Sequence, residues 1–298
     1  MMASGVPDSS LAVKGQHGTS DDVEDRYIYT SVRYDPIFKD SPENTAASFS
    51  VPCPFYMLEH HWTRLKVAHW SSQFWSDGST PRAHARPAEF IHSLLSAVKQ
   101  WQVSHPKEAA CAESLRIRRR AYACGRVTTE IWQIPRLPLS RFFPKSLDPS
   151  PDPSSVDWTV VLDTQPTTVT EATMFKIWDR TPQVRARSEA GIFTLTTTKE
   201  VLLYNPDRQI LDGSNSTPYF YRKGRWVTPI SSSGGLQGTT RRWALEKGLC
   251  IEAVIALNGF VDGEIVWFSN AVKGFFCAVY QAQHTAVEQS TAESHQDL

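Results

Sequence analysis

An excess of charge of either sign is missing from this chain. Its 298 residues carry 31 Lys and Arg against 31 Asp and Glu, which leaves no argument for a nucleic-acid or membrane-surface partner. Cysteine is scarce. Five residues, Cys53, Cys111, Cys124, Cys250 and Cys277, are odd in number and lack any C-x-x-C spacing. Neither a disulfide framework nor a metal site is therefore expected. No segment approaches the ~20 apolar residues of a membrane helix. The stretch from Met1 to Ser10 has no apolar core and does not read as a signal peptide. A reducing, cytoplasmic compartment is the expectation. Internal repeats are absent as well. At 41% hydrophobic and 21% charged, the composition is that of a globular protein, and the length suits one large domain or two smaller ones.

Residues 1–24 are rich in Ser, Gly and Asp and predict a disordered tail. The alternation from Arg26 to Tyr34 predicts a strand. Residues 56–74 predict a helix with Leu58, His61, Leu65 and Ala68 near one face, and a second helix follows over about 87–103. Residues 114–134 read as two strands joined at Cys124-Gly125. The dense run from Arg116 to Arg120 alternates with Leu115, Ile117 and Ala121, and is read as a strand with one wet face rather than a polyanion site. Together, 25–137 suggests a small α+β domain. Residues 138–155 hold Pro138, Pro144, Pro149, Pro151 and Pro153 and predict a linker or an exposed connection. From Trp158 to about 282 the chain is β-rich, with Lys223-Gly224 as a hairpin turn, and residues 283–298 are a polar, frayed tail.

The stretch from Thr228 to Arg242 carries the first chemical signal. A Gly/Ser/Thr-rich loop opens a helical pattern at Gly238-Thr239-Thr240-Arg241. Free N–H groups and the positive end of the helix dipole there suit an anion such as a phosphate. An ordinary turn with an N-cap reads equally from these residues alone. A second signal is Lys176, set inside Met174-Phe175-Lys176-Ile177-Trp178. An apolar run lowers a lysine's pKa towards the nucleophilic neutral amine, although a snorkelling strand-edge lysine has the same pattern.

Five blocks in order resemble the fold-type IV pyridoxal-phosphate enzymes, and within them the fungal aminodeoxychorismate lyase-like branch. Leu58-Glu59-His60-His61-Trp62-Thr63-Arg64-Leu65 is similar to L-x-x-H-x-x-R-L. Phe175 to Arg180 resembles the lysine block, and Leu211 to Phe220 the block usually opening E-G-S. Gly238 to Arg241 is the fourth, and Ser269 to Phe275 resembles S-N-x-V-R-G-F. They span about residues 27–280.

The resemblance implies an α+β, two-domain architecture of the D-amino-acid aminotransferase type, with pyridoxal 5'-phosphate between the domains. It implies that Lys176 forms the imine to the cofactor. Arg64, Gly238, Thr239 and Thr240 would hold the phosphate, with Thr217 adding a hydroxyl and His61 placed structurally beside Arg64. Asp212 would face the pyridine nitrogen, where the family has a glutamate one methylene longer. Thr30, Arg33 and Lys273 would line the substrate side. Without the resemblance, Arg64 reads as a surface helix arginine near Glu59 or Glu113, and Asp212-Gly213 as a turn with an Asx cap. Trp178 is bulkier than the family residue, and Pro182 follows closely, so both are expected to reshape the pocket.

The activity implied is a lyase converting 4-amino-4-deoxychorismate, a small dicarboxylate, to 4-aminobenzoate and pyruvate. A branched-chain or D-amino-acid aminotransferase shares every cofactor residue. A member that no longer catalyses is the third expectation, motivated by Asp212 and Trp178. The resemblance also implies a homodimer, with a monomer left open.

Overall fold

The computed structural model describes residues 26–71, 86–111, 114–194 and 196–282. The expected tails at 1–24 and 283–298, and the last turn of the helix expected over 56–74, lie outside them.

The first half is built on an antiparallel sheet of β1 (Tyr27–Tyr34), β2 (Ser114–Tyr122) and β3 (Val127–Ile134). The β2–β3 turn needs a left-handed residue and has Gly125 at φ +80°. Helices α1 (Pro42–Ala46), α2 (Leu58–Ser71), α3 (Pro87–Ser104) and α4 (Pro106–Cys111) complete this half. The period-2 alternation of the strands sends Ile28, Val32, Leu115, Ile117 and Ala121 to one face. There they pack on Leu58 and Leu65 of α2 and on Phe90, Leu94 and Val98 of α3. Burying each large side chain contributes on the order of 1.5–3 kcal/mol. The opposite face carries Tyr27, Tyr29, Ser31 and Arg33 against Tyr122, Arg120, Arg118 and Arg116 in register.

The connection over 138–155 is not the exposed linker its prolines suggest. Phe142 is fully buried and Leu147 nearly so. Tyr56 Oη donates to the Phe142 carbonyl at 2.7 Å, Trp226 Nε1 to Leu147 at 3.0 Å and Trp267 Nε1 to Asp148 at 2.8 Å. Proline excludes regular structure, but the apolar side chains between the prolines still bury, and indole donors from the second half satisfy the backbone.

The second half contains β4 (Trp158–Leu162), α5 (Glu171–Met174), α6 (Thr181–Glu189), β5 (Lys199–Tyr204), β6 (Ile210–Gly213), β7 (Thr217–Arg222), β8 (Arg225–Pro229), α7 (Thr239–Glu246), β9 (Ile251–Ala253), β10 (Ile265–Asn270) and β11 (Gly274–Tyr280). Its strands form one mixed sheet in the order β6-β5-β4-β11-β10-β7-β8-β9. The two edges meet: Ile210 N–H donates to the Ile255 carbonyl at 2.8 Å, and Gln209 bridges Ala256. The sheet thereby curls into a barrel whose inside is filled by Val160, Leu202, Ile210, Phe220, Val266, Phe268 and Phe276. Outside it, α6 covers Val161, Val201, Leu203 and Leu211, and α7 buries Trp243 and Ala244 against Tyr219 and Phe275. Pro182 sits in the first turn of α6, where its missing N–H costs nothing, so it opens a helix rather than narrowing a pocket.

The halves join through the lysine block. Residues 176–178 pair with the free edge of β1: Tyr29 N–H donates to the Lys176 carbonyl at 2.8 Å and Trp178 N–H to Tyr27 at 2.9 Å, with Ile177 opposite Ile28. The expected α+β architecture is thus the one present.

Candidate active site at the junction of the two sheets

Pairing against β1 decides where Lys176 points. Ile177 enters the core beside Ile28. Strand alternation then turns Lys176 to the side of Tyr29, with its Nζ 5.4 Å from the ring centroid. Burial, and then the guanidinium groups of Arg64, Arg180, Arg116 and Arg118, hold its amine well below the ordinary lysine range. A lowered pKa enlarges the neutral, nucleophilic fraction of the amine.

Arg64 reaches the same place from α2. Its Nη2 donates to Thr30 Oγ1 at 2.6 Å, and that oxygen lies 2.6 Å from Nδ1 of fully buried His61. Arg64 offers only donors, so Thr30 Oγ1 accepts from it, and the direction of the Thr30–His61 bond follows the imidazole tautomer. Burial keeps His61 neutral, and Arg64 is lowered to about 10 by burial and the nearby Arg180. Arg64 Nε is buried without a partner, which leaves a donor for an incoming acceptor. His60 Nε2, 2.9 Å from Glu246 Oε2, fixes α2 against α7.

The loop before α7 lies flat on β6 and β7. A Cβ on Gly235 would fall 1.8 Å from the Leu211 carbonyl, and one on Gly238 would fall 3.0 Å from Thr217 Oγ1. At Gly235 only glycine permits this approach, while at Gly238 a side chain would require the Thr217 hydroxyl to shift. Gly238 is the N-cap and supplies no side-chain acceptor, so the first N–H groups of α7 are available to an anion. Thr239 Oγ1 is buried with no partner. Thr240 Oγ1 accepts from Ser269 Oγ at 2.7 Å, and Ser269 Oγ is also 2.7 Å from Tyr219 Oη. Arg241 fastens the loop through the Pro229 carbonyl and Glu252.

Asp212 stands beside this loop on β6. Burial raises its carboxyl to about 8, against the lowering by the Gly213 N–H, Arg180 and Arg241. A cation or charged N–H donor set against it would restore its charge. Arg180 therefore acts electrostatically on Lys176, Arg64 and Asp212 alike, which makes it the hub of the site. Sequence reasoning quoted Arg180 in the lysine block and gave it no role. Tyr29, beneath the Lys176 amine, was also passed over.

The structure brings Lys176, Arg64, Asp212, Thr217, Gly238, Thr239 and Thr240 to one region, and Thr30 joins them through Arg64. Two sequence candidates lie elsewhere. Arg33 is fully buried and gives its donors to Ser114 Oγ at 2.7 Å and to the Pro135 and Val272 carbonyls at 2.6 and 3.1 Å, which pins the small sheet to the β10–β11 turn. Lys273 leaves that turn towards the barrel interior, its Nζ 4.0 Å above the Trp158 ring and 6.0 Å from Phe276. Thr217 and Ser269 occupy the opposite face of the same sheet. Their surroundings make Arg33 a staple and Lys273 a plug for the barrel end. The wet face expected for the arginine run is not found either, because Arg118 and Arg119 are both buried.

Removing the Arg64 guanidinium is expected to weaken cofactor binding rather than turnover at saturating cofactor, since an anchor contributes uniform binding. One charge-assisted contact is worth about 1.5–3 kcal/mol, or roughly 10- to 150-fold in affinity. Titrating apo Arg64→Ala with pyridoxal phosphate measures it, and unchanged affinity would return Arg64 to a structural role.

Residues 140–278 match the family described as amino-transferase class IV. The aminodeoxychorismate lyase of Saccharomyces cerevisiae is 28% identical over 136 residues, 41% of this chain and 36% of that protein. A provisionally assigned aminodeoxychorismate lyase of Schizosaccharomyces pombe is 28% identical over 123 residues, 39% of this chain and 52% of that one. The matched stretch thus spans about half or less of these curated relatives. Among solved structures, a fold IV transaminase from Curtobacterium pusillum superposes with a TM-score of 0.55 at 16% identity, covering 86% of this chain and 78% of that one. A protein provisionally described as 4-amino-4-deoxychorismate lyase gives a TM-score of 0.55 at 18% identity, covering 94% and 90%. These likenesses establish the fold. The lysine, the β6 carboxylate and the α7 loop all lie inside residues 140–278, the stretch that matches the amino-transferase class IV family.

Proposed function

We propose that this protein is a pyridoxal-phosphate-dependent lyase that converts 4-amino-4-deoxychorismate to 4-aminobenzoate and pyruvate. The observation that carries the reading is the grouping of Lys176 with its lowered pKa, the unpartnered donors Arg64 Nε and Thr239 Oγ1, and the Asp212 carboxyl raised to about 8, with Arg180 acting on Lys176, Arg64 and Asp212. The residues fit the cofactor. Arg64, Thr239 and the first N–H groups of α7 would hold its phosphate. Asp212 would face its ring nitrogen, and Lys176 its aldehyde carbon. When bound, the cofactor supplies an electron sink for charge developing at the substrate's amine-bearing carbon.

The remaining work falls to the chain. Lys176, its pKa lowered by burial and then by four guanidinium groups, would accept the proton from that carbon and return it. Asp212 would pair with the ring nitrogen and hold a proton there. Arg64 and α7 hold the assembly still, so that proton transfer occurs within hydrogen-bond reach. Loss of the enolpyruvyl group then follows from formation of an aromatic ring in the product.

The lyase reading over an aminotransferase is supported by the two sequence relatives, both described as aminodeoxychorismate lyases. The aminotransferase is kept as the second reading because the solved relatives include transaminases of the same fold. The discriminating experiment gives the holoenzyme the amine substrate alone. Continuous pyruvate release without a 2-oxo acid acceptor is expected. A single stoichiometric half-reaction that resumes only when an acceptor is added would establish the aminotransferase.

A further inference from the structure

Arg64 and the first turn of α7 come from different halves of the molecule, so a phosphate held by both needs the two helices at a fixed separation. Apolar packing does not set that separation by itself. Met57, at the entry to α2, shares one core with Trp243 and Ala244 of α7, and such contact is non-directional. A directed contact lies at one end: His60 Nε2 donates to Glu246 Oε2 at 2.9 Å. The His60 side chain is only 9% exposed, and its Nδ1 is buried without a hydrogen-bond partner. Among the described residues, the bond to Glu246 is therefore the one that orients the ring. Glu246 is steadied in turn by Arg242, whose Nε donates to its other oxygen at 3.0 Å.

Helical spacing connects this pair to the phosphate donors. His60 and Arg64 are one turn apart on α2 and share a face, about 6 Å along the axis. Thr239 and Glu246 share a stripe of α7, two turns and about 10 Å apart. Arg64 Nε and Thr239 Oγ1, at the far ends of these spacings, are both buried and unpartnered. The entry to α2 is itself anchored in the small half. Asn44 Oδ1 accepts from the Met57 N–H at 2.9 Å and Ser48 Oγ from the Leu58 N–H at 3.0 Å, with Met57 at φ +47°. A bulky residue holds that left-handed conformation where its surroundings impose it. We propose that the His60–Glu246 pair is a latch between the halves that sets the distance from Arg64 to the first turn of α7, and with it the grip on the cofactor's phosphate. The inference rests on the cofactor-dependent reading above. His60 and Glu246 are positioning residues, acting through Arg64 and α7 without touching the phosphate.

The test uses the full chain without cofactor, as parent, His60→Ala, Glu246→Ala, the double variant and His60→Gln. Calorimetric titration compares pyridoxal 5'-phosphate with pyridoxal, which lacks the phosphate, and pyruvate release is followed separately. The parent is expected to prefer the phosphorylated form. Each alanine variant should lose about 3- to 10-fold for pyridoxal phosphate and keep its affinity for pyridoxal. The double variant should lose no more than the larger single loss, because either change alone opens the latch. His60→Gln, whose amide can still donate to Glu246, should keep most of the parental affinity. His60→Leu, which keeps the buried volume, replaces His60→Ala should that variant fail to fold. Unchanged pyridoxal-phosphate affinity in both single variants, or an equal loss for the two ligands, would overturn the latch and leave the pair as packing. A parent indifferent to the phosphate would overturn the latch and the cofactor reading together. A latch effect in a protein that releases no pyruvate keeps the latch and loses the lyase reading.

Discussion

On the proposed reading, Lys176→Ala is expected to lower turnover by more than about 10³-fold, because it would remove both the attachment point for the cofactor and the group that moves the substrate proton. Its folded apo protein should also report the cost of burying that amine. Four guanidinium groups and burial lower the Lys176 pKa, so the unfolded chain binds more protons than the folded one between the folded pKa and about 10.4. Stability contributed at this position is thus present above that window and lost as pH falls through it. Lys176→Met should be more stable than the parent near pH 7, and the difference should vanish above about pH 10.4. Borohydride reduction with pyridoxal phosphate, followed by digestion and mass spectrometry, is expected to place the label on Lys176. Labelling of Lys199, Lys223 or Lys273 with Lys176 untouched would remove it from the site.

Asp212→Asn should retain the visible absorbance of the bound cofactor and lose on the order of 10²-fold or more in rate, since the oxyanion-hole scale of one misplaced charge is about 2.7–4 kcal/mol. Asp212→Glu keeps the charge and should recover most of that rate. An independent readout comes from the apo protein. The folded carboxyl, raised to about 8, binds a proton that the unfolded chain releases near 4. The parent therefore loses stability as pH rises from about 4 to about 8, and an asparagine does not. Allowing for partial exposure, apo Asp212→Asn should gain about 2 kcal/mol over the parent at pH 8.5 and nothing at pH 4. Loading the cofactor should reverse that order, because the ring nitrogen then pairs with the charge. Parental rate and spectrum, with no pH-dependent stability difference, would leave Asp212-Gly213 as a turn.

Local rules account for a large share of the fold. The period-2 strand from Tyr27, the helix carrying Leu58 and Leu65 and the Lys223-Gly224 hairpin were all legible, since alternation, helical spacing and turn chemistry act over a few residues, whereas the burial of the Pro-rich connection was not. Less visible were α6, whose sequence Thr-Pro-Gln-Val-Arg-Ala-Arg-Ser-Glu has almost no apolar stripe, and the short strands β6 and β9, which exist because neighbouring strands complete their hydrogen bonds.

The same division runs through the site. The sequence by itself determined which groups were available: a lysine in an apolar run, an arginine on a helix, a glycine-rich loop opening another helix and a carboxylate beside a glycine. Their spacing along the chain says nothing of distance in space. Only the tertiary structure decided that residues 176–178 pair with β1, which turns Lys176 towards Tyr29, Arg116 and Arg118. It also decided against Arg33 and Lys273, because the direction of a side chain depends on which face of a sheet its backbone joins. Arg33 is consumed by carbonyls of distant segments, and Lys273 leaves its turn on the barrel side. The arginines of β2 changed meaning for the same reason. A row of charges on a strand reads as solvated, yet here Arg118 and Arg119 are buried, with Arg118 near the Tyr29 and Trp132 rings of the flanking strands.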